Sequence, residues 1–303
     1  MVTDMVTDIP PHAPGSLLAP GLEVVGHLRR GRTLDVYDVW SRQRMCRCVA
    51  KTLRQDRSAD QPARRRLIQE GRLLRRLTHP HIARCYEVVE SCSPVRPVVV
   101  LETLSGATLA YLIDERDRLS VEECAVLGLQ LSSALAYLHS NGFLHLDLKP
   151  SNIVAESSKA KLIDLSIAHP RGKRRLIMGT RDYMAPEQID GDELTEATDV
   201  WGLGLVLYEA ATGALPFESD RDDLVDTSDE DDFYPQLDRT FVSVREHRRL
   251  PRLLAECIDK CLQHEPGLRP SLEHLFDALT RVAALDPKTI GAVYESAATV
   301  TNR

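Results

Sequence analysis

His145-Leu-Asp-Leu-Lys-Pro-Ser-Asn152 decides how the rest of this sequence is read. It sets a carboxylate, an ammonium and a carboxamide at Asp147, Lys149 and Asn152 within one short stretch. Each alone is ordinary loop polarity; the three at this spacing are not. Downstream, Lys161-Leu-Ile-Asp164 reads as a strand delivering an aspartate into a turn. Upstream, Val49-Ala50-Lys51 places a lysine inside a strand pattern. Beyond it, Leu67, Glu70, Leu74 and Leu77 fall on one face of a helix. A glutamate on an apolar helix face needs an explanation.

Around these stretches the chain changes character once. Leu22–Leu28, Val36–Trp40, Cys46–Leu53, Ala83–Glu90 and Val95–Leu101 read as short strands, interrupted by the Leu67–Leu77 helix. After Leu104 the pattern turns helical. Ser120 and Glu123 form a capping box that opens a helix with Cys124, Leu127, Leu131, Leu135 and Leu138 inward, closed by Asn141-Gly142. Further helices are predicted over Asp199–Ala211, Pro251–Leu262 and Ser271–Val282. Strands first and helices after is the pattern of an α+β protein with two unlike lobes. Residues 1–20, with a doubled Met-Val-Thr-Asp and four prolines, read as a disordered leader.

Composition narrows the function classes. The 303 residues, 43% hydrophobic and 27% charged, suffice for two cores. A net charge of −7 argues against general binding to nucleic acid or anionic membranes. No run approaches the roughly 18 apolar residues of a membrane span. No secretory signal is read either, because Asp4 and Asp8 stand where its apolar core should be, and a cytoplasmic location is expected. The seven cysteines do not fall into zinc spacing; Cys46/Cys48 and Cys257/Cys261 read as small core hydrophobes. Residues 218–232 carry nine acidic side chains against Arg221, which suits a solvated loop or a docking surface for a basic partner.

The central stretch resembles the catalytic loop of the eukaryotic-like Ser/Thr protein kinases, also common in bacteria, which reads H-R-D-L-K-P-x-N. The resemblance implies a two-lobed fold, with a β-rich N-lobe over about 21–102, a helical C-lobe over about 105–285 and a tail at 286–303. It implies ATP and Mg2+ (or Mn2+) as cofactors and proteins as substrates. Phosphoryl transfer asks mainly for positioning and charge neutralisation. By resemblance, Asp147 accepts or orients the substrate hydroxyl, Lys149 neutralises the transferring phosphoryl, and Asn152 ligates a magnesium ion. Asp164 holds metal at the ATP phosphates, Lys51 contacts the α- and β-phosphates, and Glu70 pairs with Lys51. Leu101-Glu102-Thr103-Leu104 resembles the segment between the lobes, with the Glu102 carbonyl and Leu104 amide on adenine, Val36 above and Val154 below.

The resemblance extends over residues 21–282. Gly179-Thr-Arg-Asp-Tyr-Met-Ala-Pro-Glu187 is similar to the segment that seats a protein substrate, with Arg269 as the partner of Glu187. Asp199 is similar to the aspartate that braces the catalytic loop. Several positions depart, Val49 among them, where an alanine is usual. In the phosphate-covering loop, aligned on Val36, Arg29 and Leu34 replace two glycines and Gly31 alone remains. Arg29, Arg30 and Arg32 are expected to supply charge there, and Gly26 to sit in a turn. Leu146 replaces the arginine before the catalytic aspartate, and Ser166 replaces a glycine after Asp164. Three readings therefore stay open: an active protein kinase, a pseudokinase that binds nucleotide or a partner, and a small-molecule kinase of similar fold.

Overall fold

The computed structural model describes residues 9–90, 96–156, 158–173, 178–217, 234–238 and 241–283. The chain divides into two compact units. Residues up to Ser105, with Asp164–Ser166, make the first; Gly106–Ile163 and the chain from Ile167 onward make the second.

The first unit is a six-stranded antiparallel sheet. Its strands are β1 (Leu17–Ala19), β2 (Leu22–Arg30), β3 (Leu34–Ser41), β4 (Cys46–Leu53), β5 (Cys85–Val89) and β6 (Val98–Leu101). Their spatial order is β1-β2-β3-β4-β6-β5. Helix α1 (Gln61–Arg76) starts where the Asp60 carboxylate accepts the Ala63 amide at 2.8 Å, a cap worth about 1 kcal/mol. It buries Leu67, Glu70, Leu73 and Leu74 toward β4, β5 and β6. Gly71 lets it lie close, because a Cβ there would meet methyls of Val88 and Val99 at 2.7 Å. A second apolar cluster joins Tyr37, Val39, Cys48, Ala50, Val98 and Val100 to Leu18, Ala19, Leu22 and Val24.

That cluster corrects the expected leader. Residues 1–8 lie outside the described residues, but β1 pairs with β2, and Leu18 and Ala19 are buried in the core. The prolines and Gly15 bend the segment onto the sheet. Gly26 is not in a turn either; it lies within β2 beside an irregularity in the pairing with β3, a bulge. The strand expected from Val95 begins at Val98, after Pro97, which has no amide to donate to a ladder. Cys48 is a core residue as expected, whereas Cys46, at the strand end, is exposed.

The second unit is mostly helical. It contains α2 (Leu109–Arg116), α3 (Val121–Ser140), α4 (Pro186–Asp190), α5 (Glu196–Thr212), α6 (Pro235–Asp238), α7 (Val244–His247), α8 (Arg252–Cys261) and α9 (Leu272–Ala283). Two small antiparallel strand pairs accompany them: β7 (Ile153–Glu156) with β8 (Lys159–Leu162), a hairpin, and β9 (Gly172–Lys173) with β10 (Glu193–Leu194). The capping box at Ser120 and Glu123 forms, and α3 packs on α5 and α9. Cys257 and Cys261 are buried on α8. The acidic run 218–232 and the tail 286–303 lie outside the described residues. Among those described, no helix is long and apolar enough to cross a membrane.

At the start of the second unit the backbone tolerates no side chain at Gly106, where a Cβ would stand 1.6 Å from the Ala155 carbonyl oxygen. The Gly106 amide also donates to Glu156 at 2.7 Å. Gly106→Ala is expected to cost at least about 1–3 kcal/mol, the usual penalty of overpacking, read as a lower urea midpoint. An unchanged midpoint would contradict the tight approach.

Candidate active site

In the first unit, β4 and α1 bring Lys51 and Glu70 together. Lys51 Nζ donates to Glu70 Oε1 at 2.7 Å, and Asp164 Oδ2 lies 3.4 Å from the same nitrogen. Lys51 and Glu70 are buried, while about a third of the Asp164 side chain is open (31%). Burial acts to lower the Lys51 pKa, but the Asp164 and Glu70 carboxylates outweigh it and hold the ammonium above its usual range. The glutamate that looked out of place in the helix pattern is thus the lysine's partner. Asp164 is oriented by its own turn, since the Ser166 amide donates to Oδ1 at 2.9 Å.

The other expected residues of this unit lie on β3, just after β6 and at the β2–β3 turn. Val36 is opposite Lys51 in the β3–β4 register. Glu102 and Leu104 follow β6, half-buried, with the Glu102 carboxylate accepting the Arg84 amide at 2.8 Å. Gly31 caps the β2–β3 hairpin, its amide donating to the Leu34 carbonyl at 2.7 Å. Arg30 does not serve as free charge at this turn. It donates to the Ile9 carbonyl at 2.6 Å and lies 3.8 Å from Asp35 and 3.7 Å from Asp56. Arg29 and Arg32 are exposed.

In the second unit the stretch after α3 converges on Asp147. Its Oδ1 accepts the Thr180 amide at 2.9 Å and the Thr180 hydroxyl at 2.7 Å. Its Oδ2 lies 3.0 Å from Lys149 Nζ and accepts Asn152 Nδ2 at 3.1 Å. Lys149 also donates to Thr180 Oγ1. Asn152 Nδ2 bonds the Asp147 carbonyl too, at 3.0 Å, which commits the amide nitrogen and leaves the oxygen as an acceptor. Val154 follows on β7, buried, bridged to Thr108.

Asp199, at the start of α5, shapes this loop. Its carboxylate accepts the amides of His145 and Leu146, each at 2.8 Å, and His139 Nε2 at 2.7 Å. Burial pushes the Asp199 carboxyl up, but His139, His145 and the Leu146 amide together hold it below its usual range. Leu146 sits at φ 66°, a left-handed conformation rare for a branched side chain. Its side chain packs with Leu144, Leu194 and Ile167.

The segment after it is fastened by neutral and charged bonds. Gln188 Nε2 donates to the Leu146 and Met178 carbonyls, both at 3.1 Å. Gln236 Nε2 donates to the Arg181 carbonyl at 2.7 Å, and the Tyr183 hydroxyl to Glu209 at 2.5 Å. Arg269 grips Glu187 through both nitrogens, at 2.7 and 2.9 Å, and lies over the Trp201 ring. Sequence reading found Asp199, Glu187 and Arg269, but not His139, Gln188 or Gln236. Those three act on residues 10–60 positions away and belong to no short spacing.

A group whose pKa is depressed on folding stabilises above its unfolded value, about 3.9 for aspartate, and loses that contribution as pH falls through the folded value. Asp199→Asn is therefore expected to lower the urea midpoint at pH 7, with the gap to the wild type narrowing below about pH 4. A gap that widened on acidification would show that Asp199 is not held ionised.

Comparison with known proteins agrees with this geometry. The protein kinase domain model matches residues 22–279. The chain is 31% identical over 242 residues to the serine/threonine-protein kinase PkaA of Streptomyces coelicolor, covering 77% of this chain and 42% of that one. It is 30% identical over 213 residues to the probable serine/threonine-protein kinase PknB of Lactococcus lactis, covering 68% and 34%. It is also 40% identical over 154 residues to the maternal embryonic leucine zipper kinase of Danio rerio, covering 48% and 22%. The chain thus spans less than half the length of these curated relatives. With the domain model matched from the first long strand to the last helix, this chain belongs to the protein kinase family.

Proposed function

We propose that this protein is an active serine/threonine kinase that transfers the γ-phosphate of ATP to hydroxyls of protein substrates, from a domain spanning residues 21–285. One observation carries the reading: the Asp147 carboxylate, still 17% exposed, is held by Lys149, Asn152 and Thr180 in one cluster. Asp147 orients the substrate hydroxyl and receives its proton. Lys149 meets the charge that develops on the transferred phosphoryl. Lys51, charged and held by Glu70, fixes the phosphates of ATP. Glu102 and Leu104 offer a carbonyl and an amide to adenine, and Val36 and Val154 offer apolar surface. A cytoplasmic location, where ATP is abundant, suits this chemistry.

Metal binding fits the donors present. Among the described residues no three His, Cys, Asp or Glu cluster to hold an ion by themselves. Mg2+ characteristically takes one or two protein oxygens and completes its shell with water and substrate phosphates. Asp164, partly open and oriented by the Ser166 amide, and Asn152, with its oxygen as acceptor, are such donors. Mg2+ or Mn2+, when bound, would neutralise phosphate charge.

The substrate class follows from two features. Lys149, two residues after Asp147, is the mark of the Ser/Thr type. The segment from Gly179 to Glu187, which in the family seats a protein chain, argues against a small-molecule substrate. Thr108 and Ser151 stand where arginine-directed kinases carry acids, which disfavours that preference. The acidic run 218–232 is a candidate docking surface for a basic partner. The glycine-poor turn at Gly31 favours one other reading, a pseudokinase that binds without transfer.

Radiolabelled ATP with Mg2+ or Mn2+ and a generic protein substrate separates the two. Asp147→Asn is expected to leave a folded protein whose transfer falls by roughly 10²–10⁴-fold, the range for a positioned general base. Lys51→Met is expected to cripple transfer as well. Wild-type turnover in Asp147→Asn at an unchanged melting temperature would exclude catalysis by this carboxylate.

The activation segment gives an independent expectation. Between Asp164 and Glu187 the hydroxyls are Ser166, Thr180 and Tyr183; Thr180 is engaged by Asp147 and Tyr183 by Glu209. Leu146 offers an apolar cluster in place of a phosphate-binding arginine. Phosphatase-treated protein should keep its rate. A large drop, reversed when phosphate returns to this segment, would overturn the expectation.

A further inference from the structure

The hairpin that carries Gly31 is held on the side away from Val36 by a buried polar network. At its centre is Asp35, fully buried on β3. Adjacent strand residues point to opposite faces, so Asp35 and its neighbour Val36 look in opposite directions. Asp35 Oδ1 accepts His27 Nε2 at 3.1 Å, and Oδ2 accepts the Tyr37 hydroxyl at 3.4 Å. Arg30 Nε lies 3.8 Å from Oδ1.

These partners bracket the turn. His27 and Arg30 precede it on β2, and Asp35 and Tyr37 follow it on β3. Arg30 also lies 3.7 Å from Asp56, a second buried carboxylate, which accepts Arg54 Nη2 at 2.7 Å. Arg54 in turn fixes the turn's own backbone: its amide donates to the Thr33 carbonyl at 2.9 Å and its Nη1 to the Gly31 carbonyl at 3.4 Å. The segment before β1 closes the network from above. The His12 amide donates to the Tyr37 hydroxyl at 3.1 Å, and the Ile9 carbonyl accepts Arg30 at 2.6 Å.

A buried carboxylate needs hydrogen-bond partners to offset the loss of water. Here the partners come from both strands of one hairpin, so satisfying Asp35 and fixing the hairpin are the same event. None of the bonds named here goes to Lys51, Asp147, Lys149 or Asp164, and those of Arg54 reach the turn whose amides would lie against phosphate.

We infer that Asp35 is a positioning residue for the nucleotide: through Arg30, His27 and Tyr37 it sets the placement of the Gly31 turn and hence the affinity for the phosphates of ATP. The inference rests on the kinase reading, in which this turn covers the phosphates. With two of three glycines replaced, the turn cannot rely on backbone freedom to mould itself to phosphate, and its position must be set from outside.

The test compares binding of ATP with Mg2+ and of adenosine, by calorimetry, in the full chain and in Asp35→Asn and Arg30→Gln. Adenosine keeps the base and lacks the phosphates. Losing a charged hydrogen-bond partner should weaken ATP about tenfold, while adenosine shifts by less than about twofold. A merely structural role would lower the melting temperature or weaken both ligands alike. Arg30→Gln, at a side chain 22% exposed, carries the test if Asp35→Asn does not fold. Equal losses for both ligands, no loss for either, or a wild type that binds ATP no better than adenosine would overturn the inference. Phosphate transfer is measured separately on the wild type. Binding of ATP without transfer would overturn the activity, and the binding comparison would still decide the role of Asp35.

Discussion

The Asp199 carboxylate is the constraint on which the catalytic loop depends. Deeply buried at the start of α5, it collects the His145 and Leu146 amides and the His139 ring. The two amides belong to consecutive residues, so one carboxylate dictates the direction of the backbone just before Asp147. Leu146 is driven to a positive φ, a strain of order 1–3 kcal/mol, which charge-assisted bonds and the burial of its side chain offset. Gly202, one turn along α5, lets the next part of the loop settle, for a Cβ there would stand 3.1 Å from Leu148 Cβ. Helix α5 is therefore the template on which the loop is cast. Asp147 points where it does because the residues before and after it are fixed to that helix.

Each unit holds its reactive charges in the same manner, by pairing cation with carboxylate and leaving one member reachable. Lys51 is closed in with Glu70, and Asp164 is the open partner. Lys149 and Asp147 are both partly open and share Thr180. Paired side chains hold their rotamers before any substrate arrives, which on the proposed reading reduces the reorganisation that transfer requires.

What the sequence made legible was what chemistry confines to short spacing. Asp147, Lys149 and Asn152 could be read because a single loop must present them together. Glu70 could be read because it broke the apolar stripe of α1. The division into a strand-rich and a helical part followed from periodicity. The segment before Leu22 could not be read, because proline and glycine mark bends as readily as disorder, and two apolar residues, Leu18 and Ala19, are too few for a pattern. Arg30 was misjudged for a different reason. Next to a phosphate-covering turn an arginine suggests phosphate, and nothing local shows that Asp35, Asp56 and the Ile9 carbonyl claim it first. His139, Gln188 and Gln236 act across distant parts of the chain and leave no periodic trace.

The departures from the family pattern separate fold from chemistry. Ser166 takes a glycine's place without a positive φ, and its amide still reaches Asp164. Leu146 does take a positive φ, but Asp199 and an apolar cluster hold it there. Arg29 pairs with Val36 just after an irregularity in the β2–β3 register, Leu34 lies opposite Leu53, and neither has a positive φ. The hairpin thus needs no glycine torsion at those two places, and the fold loses nothing by their replacement. On the proposed reading, what changes is the bulk that a phosphate would meet at the hairpin, a burden on ligand binding that the polar network around Asp35 would answer.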